Sequence, residues 1–146
     1  NNYKKRNIVK KFNSLEKEGA KLNSLFKNFQ KEIENNKKHL NALIDKYKNK
    51  TVVAYGASAT STTLISHFEL GKIINYFVDD NLGKINKFSP GFNIKVESKE
   101  MILEKKPDLI IIFAWRFYKQ ILKNLYQINT DIILPLPKPK YLRKKH

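Results

Sequence analysis

The sequence predicts an α/β protein: a doubly wound, mostly parallel sheet of four to five strands, preceded by a long N-terminal helix. Three observations predict it. Apolar runs at Thr51–Tyr55, Ile73–Val78, Leu109–Phe113 and Asp131–Leu134 read as buried strands, because a parallel strand covered on both faces needs no polar alternation. Stretches with helical spacing separate these runs, and strand–helix alternation is the pattern of a parallel sheet. Ahead of them, 1–50 contains no proline and carries apolar residues at helical steps.

Within 1–50, Ile8, Val9, Phe12 and Leu15 mark a first helix expected to end near Gly19. A longer helix starts after Asn23 as N-cap and carries Phe26, Phe29, Ile33, Leu40, Leu43, Ile44 and Tyr47. The stripe is thin around Glu34–Lys38, and its apolar spacing is not sustained as a heptad. The expected role of 1–50 is therefore to pack on the core of 51–146 rather than to form a coiled coil. Thr51–Tyr55 then hands over to a helix at Thr60–Leu70, with Gly71 as its stop. Ile73–Val78 ends at Asp79–Asp80–Asn81, and the irregular stretch that follows holds a turn at Pro90–Gly91 and a short strand at Asn93–Val96. Ser98 caps a short helix through Leu103, and Leu109–Phe113, the most hydrophobic run, is the expected central strand. An amphipathic helix over Arg116–Ile128 and a last strand at Asp131–Leu134 close the unit on Pro135–Leu136–Pro137.

The net charge of +16 suggests nucleic acid, but its distribution argues against that partner. Residues 1–50 hold 14 basic and 5 acidic side chains, and 135–146 hold 5 basic and none acidic, whereas 51–134 hold 10 and 8. The core is nearly balanced. Arginine, whose planar fork favours base reading, occurs only at Arg6, Arg116 and Arg143. No apolar run has transmembrane length, and no signal segment opens the chain. Zero cysteines exclude disulfides and thiolate metal sites and fit a reducing, cytoplasmic setting. A first residue of Asn1 rather than Met is read as the start of a piece of a longer protein.

Right-handed crossovers place every parallel strand's C-terminus on one edge, where doubly wound sheets bind ligands. That edge collects Gly56–Ser61, with Gly56, Ala57, Ser58, Thr60 and Ser61 as candidates, then Asp79–Asn81, then Ala114–Phe117 with Trp115 and Arg116, and last Pro135–Pro137. The small residues after Tyr55 offer backbone N–H groups and hydroxyls to a phosphate, or they simply cap a helix. Asp79, 23 residues beyond Gly56, lies near the spacing at which an acid meets a ribose, or it forms a turn. Trp115 can stack on a base or sugar and Arg116 can fork onto a phosphate. His39, His67 and His146 have no nucleophile or acid in a triad arrangement, and no His/Asp/Glu spacing suggests a metal. The residues alone describe a binding module with no catalytic group.

Four segments in order, YGASATSTTLISHF, FVDDNLGKINKFSPGFNIKV, KPDLIIIFAWRFYKQIL and ILPLPK, resemble the C-terminal domain of the sugar-nucleotide C-methyltransferases. The resemblance spans roughly 23–142 and implies a Rossmann-like domain joined to an upstream methyltransferase domain of the same chain. It also implies S-adenosylmethionine and zinc bound upstream, none in this domain, and a nucleoside-diphosphate sugar as substrate. In that family a base removes a proton beside a sugar ketone, and the enolate carbon takes the methyl group. Gly56, Ala57, Ser58, Asp79, Pro90, Gly91 and Trp115 fall on the family pattern. Thr60–Ser61 stands in place of a Lys-Gly pair, Asp80 in place of an Arg, and Ala114 in place of a Pro. The expected function is the nucleotide-sugar side of a methyltransferase cleft, inactive alone, with no nucleic-acid or membrane partner. The alternatives are a non-enzymatic nucleotide-binding or docking domain and a basic interaction protein.

Overall fold

A computed structural model describes the backbone of residues 2–143 and the side chains of residues 13–143. The chain forms two compact units, Asn1–Asn35 and Asn36–His146. The first unit is helical, and its helix α1 (Asn2–Ile44) continues into the second. The break expected at Gly19 does not occur. A lone glycine costs a helix about 1 kcal/mol relative to alanine, which long flanking runs of Lys, Leu and Glu offset, and nothing lies within 4 Å of the position its Cβ would take. Leu15, Leu22, Leu25, Phe26 and Phe29 are all more than half exposed. Ile8, Val9 and Phe12, expected to mark a first helix, have side chains outside the described residues, and residues 144–146 of the basic tail also lie outside them.

The second unit is built on one six-stranded sheet of order β3-β2-β1-β4-β5-β6. Its strands are β1 (Val52–Tyr55), β2 (Ile74–Val78), β3 (Val96–Glu97), β4 (Leu109–Ile112), β5 (Asp131–Leu134) and β6 (Lys140–Arg143). The first five are parallel; β6 pairs antiparallel with β5. The expected four to five strands become six because the chain turns back after Pro135–Leu136–Pro137 and adds Lys-Tyr-Leu-Arg as an edge, a segment too charged to read as a strand.

The apolar strands are buried on both faces, which is why they lack polar alternation. On one face Val52, Ala54, Phe77, Leu109 and Ile111 meet Leu40, Ile44 and Tyr47 from the end of the N-terminal segment, and Ile65 and Phe68 of α2 (Ala59–Phe68). On the other face Val53, Tyr55, Ile110 and Ile112 meet Ile102 of α3 (Met101–Lys105) and Ile121 of α4 (Tyr118–Asn124). Each fully buried aliphatic side chain contributes about 1.5–3 kcal/mol, so this two-sided core fixes the strand register. Tyr47 donates its phenolic hydrogen to the buried carboxylate of Asp131, which also lies 3.4 Å from Lys46 Nζ.

Local signals differ in detail. α2 stops at Glu69, in the left-handed region at φ 60°, rather than at Gly71. Gly71 is needed instead because a Cβ there would lie 2.4 Å from the Phe92 ring. The helix expected over Arg116–Ile128 is a 3-10 turn (Trp115–Phe117) followed by the shorter α4. The expected strand at Asn93–Val96 is displaced to Val96–Glu97.

Candidate functional site

The chain leaves β1 toward β2 on one side and returns to β4 on the other, so β1 and β4 form the topological switch point where such sheets open a crevice. A cleft of about 540 Å³ lies there, at the C-terminal ends of both strands. Gly56, Ser58 and Thr60 line it from the β1 turn, Asp79 and Asp80 from the end of β2, and Trp115 and Arg116 from the turn after β4. These seven come from three segments far apart in sequence.

Gly56 adopts φ +101°, and an added Cβ would lie 2.7 Å from Ala114 Cβ and 3.0 Å from Ala114 N. Its lack of a side chain thus lets the two turns of the cleft cross. Ser58 caps α2 by accepting the Ser61 N–H at 3.2 Å. Ala59 and Thr60, in the first turn, precede any intrahelical acceptor, so their N–H groups remain available at the positive end of the helix dipole. Ser61, proposed from sequence as a phosphate donor, is fully buried and donates its hydroxyl to the Gly56 carbonyl at 2.6 Å. It shapes the turn from behind.

Asp79 is similarly committed. Its carboxylate accepts the Ala57 N–H at 2.7 Å, the Asn81 N–H at 2.9 Å and Lys84 Nζ at 3.0 Å. Of the two sequence readings, the geometry is that of a turn former. Pro90, with Ala57 and Ser58, lines a second groove of about 330 Å³ beside the cleft; Gly91, at φ +78°, lines neither. Arg116 is exposed and sits 5.1 Å from the Trp115 ring centroid, and among the described residues it forms no ion pair.

Sequence reasoning missed Tyr55, and it placed Phe117 on this edge without giving it a role. Tyr55 OH donates to Asp80 at 3.0 Å, and burial, reinforced by the Asp80 charge, raises its pKa well above the usual tyrosine value. Lys99 Nζ lies 3.5 Å from Asp80. The motif after β1 gave no cue, because an apolar strand makes its last residue read as core. Phe117, expected on the edge as the end of Ala114–Phe117, is 70% exposed on the rim.

A family model for the C-methyltransferase C-terminal domain matches residues 1–137. The chain belongs to that family. This C-methyltransferase C-terminal domain is 29% identical over 97 residues to the C-methyltransferase NovU of Streptomyces niveus. The match covers 64% of this chain and 23% of the relative, so the chain spans less than a quarter of that enzyme's length. Among solved structures, the domain is similar in fold to UDP-D-quinovosamine 4-dehydrogenase from Vibrio fischeri. The TM-score is 0.50 at 16% identity, covering 64% of this chain and 93% of that one. Among the described residues no three His, Asp or Glu side chains gather where a metal could sit, and the chain has no cysteine to supply a thiolate ligand. No helix of the described residues is long and apolar enough to cross a membrane.

Proposed function

We propose that this domain holds the nucleotide part of a nucleoside-diphosphate sugar against a methyltransferase domain that performs the chemistry. The observation that carries the reading is the switch-point cleft, with a capped helix N-terminus on one wall and Trp115–Arg116 on the other. A diphosphate suits the free N–H groups of the first turn of α2 and the Arg116 guanidinium, which forms no ion pair among the described residues. A base or sugar ring suits the indole face. The family match and the resemblance to NovU supply the reaction class, C-methylation. S-adenosylmethionine would supply the methyl group. Its site, the base that forms the sugar enolate, and any zinc are assigned to other parts of the enzyme. The residues of this chain bind and orient and move no proton.

A second reading, a nucleotide-binding domain without a linked reaction, is favoured by one observation. Thr60 stands where the family pattern has Lys, and the nearby Lys84 is occupied by Asp79. A thermal-shift titration with nucleoside diphosphates, their sugars and S-adenosylmethionine tests both. A saturable rise with a nucleotide sugar, larger than with its diphosphate and absent with S-adenosylmethionine, supports the first. A rise with the diphosphate alone supports the second. No rise, in the native chain or in Thr60→Lys, overturns both.

A further inference from the structure

Two cavities meet at the start of α2. The switch-point cleft and the second groove, of about 330 Å³, are both lined by Ser58 and Lys84. Thr60 lines only the cleft, and Ala59 and Thr62 line only the groove, so the first turn of the helix stands between them. The two differ in chemistry. In the cleft Asp80, Gln120 and Asn124 add a carboxylate and two amides to Trp115, groups that take the hydroxyls and the ring face of a sugar. The groove is walled by Phe77, Phe88, Pro90 and Val96. Ser89 lines it at 8% exposure; its Oγ accepts the Ile94 N–H at 3.1 Å, and among the described residues no hydrogen bond takes its own proton. Apolar walls with a buried hydroxyl to fix orientation suit a flat heteroaromatic ring.

The wall that carries these residues is preformed. Three backbone bonds of 2.8 Å, Asn86 N–H to Val96 O, Val96 N–H to Lys87 O and Ser89 N–H to Ile94 O, fold 86–96 into a short hairpin. Phe92 of the same hairpin packs against the core and fills the space beside Gly71. Phe88 is 56% exposed, which leaves its ring open to a planar partner.

We propose that the groove is the nucleobase subsite. The base lies against Phe88 and Pro90 with Ser89 as its donor, the diphosphate crosses the start of α2 beside Ser58 and Lys84, and the sugar enters the cleft at Trp115. This assignment rests on the nucleotide-sugar reading above and divides that ligand between two walls. Charge gives the order. Asp80, half exposed, repels a phosphate and accepts a hydroxyl. At the junction Lys84, held by Asp79 at 3.0 Å, keeps further N–H donors beside the positive end of the helix.

Calorimetric titrations of the 146-residue chain with UDP, dTDP, GDP and ADP, each beside its glucose ester, test this. Phe88→Ala should weaken a nucleoside diphosphate and its sugar ester by the same factor, about fivefold to a hundredfold, the range of a lost base–aromatic stack. Phe88 belongs to neither core cluster, so the melting temperature should hold. Phe88→Trp should keep the native affinity. Trp115→Leu, which retains apolar packing, should weaken the sugar ester alone. Binding that Phe88→Ala leaves unchanged overturns the groove assignment while the nucleotide-sugar reading stands, and so does a Trp115→Leu loss that falls equally on the diphosphate. No binding of any probe overturns both.

Discussion

Asp79 accepts the backbone N–H of Ala57 at 2.7 Å, so the end of β2 holds the turn that follows β1. The same carboxylate fixes Lys84, and together they set the shape of the cleft wall before any ligand arrives.

Asp79→Ala is expected to lower stability by about 1–3 kcal/mol, the cost of leaving partly buried donors without their acceptor. Nucleotide affinity should fall further than stability, because Ser58 and Thr60 lose their fixed position. Urea denaturation and a ligand titration of the same sample separate the two effects. Asp79→Asn, which keeps one acceptor oxygen, should lie between.

Gly56→Ala combines two penalties. The left-handed backbone at φ +101° costs about 1–3 kcal/mol for a residue with a Cβ. Crowding Ala114 adds a similar overpacking cost of about 1–3 kcal/mol. In an Ala114→Gly background the clash with the Ala114 Cβ goes, while the φ penalty and the 3.0 Å approach to the residue-114 backbone N remain, so the denaturation midpoint should recover partly and not fully.

Arg116→Gln should weaken nucleotide-sugar binding about tenfold to a hundredfold, the range of a lost charge-assisted hydrogen bond. Because it is exposed and, among the described residues, forms no ion pair, the melting temperature should stay unchanged. Calorimetric titration checks this. An unchanged affinity would remove Arg116 from the proposed site.

Alkaline pH should destabilise the domain. Burial, with the hydrogen bond to Asp131 next, holds the Tyr47 phenol protonated well above the usual tyrosine range, and burial does the same for Tyr55. Burial and the charges of Glu97 and Glu104 push Tyr76 up to about 12. A phenol whose folded pKa exceeds its unfolded value of about 10 contributes fully below that pH and loses its contribution as pH rises through the folded value. The urea midpoint should therefore fall from about pH 10 upward. Tyr47→Phe should flatten that slope.

Strand positions were legible because burial on both faces leaves a plain apolar run, as at Leu109–Ile112 and Asp131–Leu134. The edge where the cleft opens followed from connection handedness. Less legible was which polar groups face a ligand. Ser58 and Ser61 are the same residue type three positions apart, yet one lines the cleft while the other is buried against Gly56. Asp79 and Asp80 are adjacent, and alternation along the strand end sends one to the Ala57 turn and the other to Tyr55. Gly19 misled in the other direction, because local propensity alone cannot tell a helix stop from a tolerated glycine.

The two borders of the sheet restrict how anything else can attach. β3 is two residues long, and β6 carries Lys140 and Arg143. Arg143 turns its guanidinium onto the carbonyls that follow α4, 2.8 Å from Leu125 O and 3.3 Å from Tyr126 O. Neither border offers a long, neutral row of free amides onto which another chain could add a strand. This domain is thus protected from edge-to-edge aggregation, and whatever it assembles with must be met by side chains on its loops and helices.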